Sequence, residues 1–74
     1  MNIENNKLYI TDKIDYEDCD ELINLSNDVE EIVIETNDVH PAIFQLLLSL
    51  SKTINIVIED EFNKRFFENL KLND

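Results

Sequence analysis

The stretch Glu30–Glu59 constrains this chain more than any other. Two β-branched runs, Glu31-Ile32-Val33-Ile34-Glu35 and Ile54-Asn55-Ile56-Val57-Ile58-Glu59, bracket the nearly all-apolar segment Pro41-Ala42-Ile43-Phe44-Gln45-Leu46-Leu47-Leu48-Ser49-Leu50. Short runs rich in Ile and Val read as strands, and the longer run between them reads as a helix. Strand, helix and strand in that order make a parallel β-α-β unit with a right-handed crossover. Both strands are apolar on both pleat faces, the pattern of central parallel strands covered on two sides.

The flanking residues extend this unit. Lys7-Leu8-Tyr9-Ile10-Thr11 alternates and carries β-formers, so it reads as a strand. Residues 1–6 are either disordered or an extra edge strand, Met1–Glu4, turned back antiparallel through Asn5-Asn6. Asp15 is suited to cap a helix over Tyr16–Ser26, with Glu17 and Asp18 in its first turn and Ile14 and Cys19 as a staple. Tyr16, Cys19, Leu22, Ile23 and Ser26 share one face of that helix at 3.6 periodicity. Pro41 suits the first position of a helix over Pro41–Ser51. A strand over Thr53–Glu59 follows, and Asp60 caps a last helix, Glu61–Leu72, with Phe62, Phe66, Phe67 and Leu70 on its expected core arc. The expectation is a single small α/β domain, residues 1–74, in β-α-β-α-β-α order with a mainly parallel three- to four-stranded sheet. No repeat, linker or low-complexity segment interrupts it.

A chain of 74 residues buries about 60% of its unfolded surface, so its core is small. Cys19 is the one cysteine. It removes any disulfide or multi-cysteine metal site and fits a reducing, cytoplasmic setting as a small buried hydrophobe. Its neighbours Asp18, Asp20 and Glu21 disfavour a thiolate. Met1–Asn6 has neither a basic start nor an apolar core, so no secretory signal is expected. No apolar run reaches the roughly 18 residues of a bilayer span, so no direct membrane insertion is expected.

Seventeen acids against six bases give a net charge of −11. Nucleic acid and anionic membrane repel such a chain, and a charged partner should be basic. The charge is either a solubility surface or a mimic of a nucleic-acid backbone. The chain contains no glycine, which excludes glycine-rich phosphate and dinucleotide loops. Its turns fall to Asn5-Asn6, Asn27-Asp28, Asn37-Asp38 and Lys52-Thr53, where Asn and Asp tolerate left-handed backbone.

Three sets of residues could carry chemistry. The first is the acids after the strands: Asp12, Glu35 with Asp38, and Glu59 with Asp60 and Glu61. Open parallel sheets bind ligands at that edge, and converging carboxylates suit magnesium. Acids there are equally ordinary helix caps, and no lysine, glycine or phosphoacceptor accompanies them. The second is His40, the one histidine. It has Asp38 close by but no nearby nucleophile, so a structural loop role competes with a base. The third is the outer side of the Pro41–Ser51 helix. Ala42, Ile43, Leu46, Leu47 and Leu50 already make a complete core face. Phe44 and Leu48 fall outside it, one turn apart. They are either wedged between neighbouring elements or exposed as an interface. Lys64-Arg65 is the one basic pair, and Phe62, Phe66 and Phe67 are expected in the core, so nucleic-acid binding is disfavoured.

Lys7–Leu72 resembles a minimal STAS domain, the fold of anti-sigma-factor antagonists and of the small subunit of a bacterial lipid-transport ATPase. Three features carry the likeness. An opening strand, Leu8-Tyr9-Ile10, leads into an acidic helix. The run Glu31-Ile32-Val33-Ile34-Glu35-Thr36-Asn37-Asp38-Val39 is similar to the family's strand ending in an acid, a polar residue and a valine. A leucine-rich helix, a strand and a helix then follow. The family's phospho-switch needs a hydroxyl and a glycine at the start of that helix, and Val39–Gln45 has no serine, threonine or glycine. The resemblance therefore implies docking without a phospho-switch. The expected function is a non-enzymatic protein-interaction module that binds a protein partner or a second copy through Asp38, His40, Phe44 and Leu48. No catalytic residue, cofactor or metal is expected. The other readings are an acidic decoy of a basic protein and a magnesium-binding, receiver-like domain using Asp12, Glu35, Glu59 and Asp60.

Overall fold

A computed structural model describes residues 1–73. They form strands β1 (Asn2–Glu4), β2 (Lys7–Ile10), β3 (Glu31–Ile34) and β4 (Asn55–Ile58), and helices α1 (Cys19–Ser26), α2 (Pro41–Leu50) and α3 (Glu61–Leu72). A 3₁₀ turn, Tyr16–Asp18, leads into α1. The four strands lie in sequence order in one mixed sheet. β1 pairs antiparallel with β2, while β2–β3 and β3–β4 are parallel. Asn5 and Asn6 turn the first hairpin with φ of 51° and 65°. Both residues therefore take the left-handed conformation that a two-residue primed turn demands, and Asn tolerates it without glycine.

Strand order decides where the helices go. The strands follow one another across the sheet, and right-handed crossovers between neighbours put successive helices on the same face. The core agrees. Leu8, Ile10, Ile32, Ile34 and Ile58 point into one cluster with Leu22, Ile43, Phe44, Leu47 and Phe67 from the three helices. Tyr9, Val33 and Val57, on the alternate pleat, have no place in that cluster. The domain is thus two layers. β3 is central as expected, paired on both sides, but β4 is an edge, and the second face of the sheet carries no helix, so neither strand is covered on both faces.

The caps set the helix starts at the carboxyl edge of the sheet. The Asp15 carboxylate accepts from the Tyr16 N–H at 2.6 Å, and the Asp18 carboxylate accepts from the Asp15 N–H at 2.8 Å. Asp60 caps α3 by accepting from the Asn63 N–H at 3.0 Å. In α1, Leu22 and Ser26 are buried, whereas Tyr16 and Ile23 are exposed and Cys19 is half-buried. The single helical face expected over Tyr16–Ser26 is not formed: Tyr16 lies in the 3₁₀ turn ahead of α1, and Ile23 faces solvent from within α1. Cys19, the first residue of α1, is half-buried against the core.

Candidate functional site

Three helix starts converge on one side of the molecule, and the exposed aromatic residues are grouped there. His40 is the N-cap of α2: its Nδ1 accepts from the Ala42 N–H at 3.0 Å. An accepting Nδ1 places the proton of the neutral ring on Nε2. Tyr16, at the start of α1, lies with its ring centroid 6.3 Å from that of His40. Two backbone bonds tie these loops together, from the Ile14 N–H to the Asp38 carbonyl at 3.1 Å and from the His40 N–H to the Ile14 carbonyl at 3.0 Å. The loop before α2 is further held by Thr36, whose buried Oγ1 accepts from the Asp38 N–H at 3.0 Å.

α3 completes the site by an unexpected rotation. Its buried positions are Asn63 and Phe67, with Leu70 half-buried. Phe62 is 77% exposed and Phe66 is 42% exposed. The expectation that Phe62 and Phe66 belong to the core is corrected. Asn63 takes the inward position because its Nδ2 donates to the Asn37 carbonyl at 3.0 Å, which pins α3 to the loop before α2. With Asn63 turned inward, Phe62 is rotated about 100° outward. The apolar spacing gave no warning of this: Phe62, Phe66, Leu70 and Phe67 span about 140° of the helix circumference, the same arc as the Ala42, Ile43, Leu46, Leu47 and Leu50 face of α2.

Phe44 takes the wedged one of its two expected alternatives. It is 4% exposed and packs edge-to-face on Phe66, with ring centroids 5.0 Å apart and planes at 67°. Leu48 is half-buried against the core. α2 is wedged against α3, so Phe44 is a floor and not a protruding contact. A groove of about 240 Å³ lies over it, lined by Val39, Pro41, Phe44, Phe62, Asn63 and Phe66. Of the four residues expected to bind a partner, Phe44 floors this groove, and His40 lies next to Pro41 on its wall. Asp38 is exposed on the preceding loop, and Leu48 lies a turn further along α2.

No protein family, no curated protein and no solved structure matches this chain.

The strand-end acids do not gather. Asp60 is occupied as a cap, and Glu61 pairs with Arg65 at 3.6 Å. Among the described residues, no group of three His, Cys, Asp or Glu side chains is placed to hold a metal ion. No helix among them is long and apolar enough to cross a membrane. Charge is instead segregated. Only Glu61 and Glu68 of the seventeen acids lie on α2, α3 or the turn after α2, yet four of the six bases do: Lys52, Lys64, Arg65 and Lys71. The helices that wall the groove thus carry few acids, although Asp38, Asp60 and Glu61 adjoin its lining in sequence.

Proposed function

We propose that this chain is a non-enzymatic protein-binding module of STAS-like type, and that its partner docks over the groove between the starts of α2 and α3. The exposure of Phe62, at 77%, carries this reading. An aromatic side chain left in water beside an apolar groove forgoes about 1.5–3 kcal/mol that burial returns. Aromatic residues that fill or rim a groove are the usual anchors of protein interfaces. Phe66 is half-covered by Phe44 and so is presented in a fixed orientation, which lowers the entropy lost on binding.

The charge pattern supports the same surface. A protein of net charge −11 repels most cellular proteins over its acidic parts. The apolar lining of the groove, Val39, Pro41, Phe44, Phe62 and Phe66, offers a partner a contact that does not depend on charge. The β-α-β-α-β-α order that runs from β2 to α3 supports the STAS-like assignment. The bare Val39–Gln45 segment, without a hydroxyl, supports docking that is not switched by phosphorylation.

Affinity capture from the source cells with the unmodified chain and with Phe62→Asp tests the proposal. Proteins retained by the first and lost by the second are the expected result. Sedimentation of both chains from micromolar to millimolar concentration reports whether the partner is a second copy. An identical set of captured proteins and identical sedimentation would sink the reading, because Phe62 would then touch nothing.

A further inference from the structure

The face of the sheet turned away from the helices carries an apolar row of its own, apart from the groove. From the strand register, Asn2, Tyr9, Val33 and Val57 form one row across this face. Glu4, Lys7, Glu31 and Asn55 form the next row. Just past the last paired residues, the Glu35 N–H donates to the Ile10 carbonyl at 2.8 Å and the Glu59 N–H to the Ile34 carbonyl at 3.0 Å, which keeps both residues extended along the sheet. Alternation puts both of these carboxylates on the same face as Val33 and Val57. Tyr9, Val33 and Val57 thus make an apolar row with acids on both sides.

Parallel strands rarely leave a face uncovered, because their usual connections place helices on both sides. Here three successive strands spend apolar residues on a face with no layer over it. Val33 is only 6% exposed, shielded by half-buried Tyr9 and Val57 on either side. The row crosses three strands, so it is about 10 Å long at the usual strand spacing. Two turns of an α-helix have about the same length.

Charge selects the occupant. The carboxylates on this face are Glu4, Glu31, Glu35 and Glu59, and its one base, Lys7, is already 3.5 Å from Glu31. A second copy would set these carboxylates against their own likeness, and anionic lipid or nucleic acid would meet the same repulsion. We propose that this face is the docking site of a basic amphipathic helix of a partner protein. Its apolar stripe lies along Tyr9, Val33 and Val57. Its Lys or Arg margins reach Glu35 and Glu59 on one side and Glu4 on the other, where Glu31 is already held by Lys7 and Asn55.

The test uses the whole chain and a synthetic four-turn peptide with leucine at i, i+3, i+4 and i+7 and lysine elsewhere. Titration followed by amide NMR should move Tyr9, Val33, Val57 and their strand neighbours in a saturable way. Binding should weaken as salt rises. A matched peptide with glutamate in place of lysine should not bind. Tyr9→Lys and Val57→Lys, at half-exposed positions, should each weaken binding at least tenfold. Shifts confined to the acid-rich Asp15–Glu21 segment of the unmodified protein would overturn the proposal. So would equal binding of the glutamate peptide, or unchanged affinity of both variants.

Discussion

Two phenylalanines five residues apart on one helix should behave oppositely when truncated. Phe67 is 4% exposed and belongs to the core cluster, while Phe62 is 77% exposed and belongs to the groove rim. Phe67→Ala removes a packed ring that helps join α3 to the sheet, and such a truncation costs about 3–5 kcal/mol. At 0.05–0.15 kcal/mol per residue, 74 residues are stable by about 4–11 kcal/mol, so this variant loses a large share of its stability or unfolds. Phe62→Ala deletes a ring that is mostly in water. It should change stability by no more than about 0.5 kcal/mol in either direction. Urea denaturation followed by circular dichroism measures both, with equal slopes confirming that the same surface is exposed on unfolding. A loss above about 1.5 kcal/mol for Phe62→Ala would refute the reasoning. It would mean that the ring stabilises the fold, and the case for a binding anchor at that position would go with it.

Other positions give further checks. Asn63→Ala should cost about 1–3 kcal/mol in urea unfolding, since it removes a buried donor from the Asn37 carbonyl. Asp60→Ala should cost about 1 kcal/mol in the same assay through loss of the α3 cap. Asn6→Gly should raise the thermal midpoint, because φ of 65° costs glycine no side-chain clash, and Asn6→Val should lower it. Sodium chloride should raise the urea midpoint between low and near-molar salt by screening the self-repulsion of a −11 chain; a falling midpoint would mean that ion pairs such as Lys7–Glu31 outweigh that repulsion.

Local chemistry made most of the fold legible. The final helix begins where Asp60 caps it and matches its expected span, Glu61–Leu72. The strands run a residue or two shorter than the β-branched runs, because ladder pairing and not propensity ends them. The Asn5-Asn6 hairpin was legible because few other residues accept left-handed backbone. Two features were hidden, and both depend on tertiary placement. Nothing local distinguishes an edge strand like Asn55–Ile58 from a central one when both read as Ile-Val runs. Nothing local announces that Asn63 will outrank Phe62 for the inward position, because its partner, the Asn37 carbonyl, lies 26 residues away.

That exchange at Asn63 links the fold to the proposed function. A phenylalanine at position 63 would pack well, but it would leave the Asn37 carbonyl without its donor and the loop before α2 without its tie to α3. Asparagine holds the two helix starts in register and directs Phe62 away from the core. The same hydrogen bond that stabilises the junction therefore sets the spacing of the groove walls, with Pro41 on one helix and Phe62 on the other. An Asn63→Leu variant separates the two roles. A leucine there keeps apolar packing and costs less stability than alanine, yet it frees the loop from α3. Binding over the groove should then weaken more than stability does. A partner affinity that merely follows stability across Asn63→Ala and Asn63→Leu would show that the asparagine holds the fold alone and does not position the site.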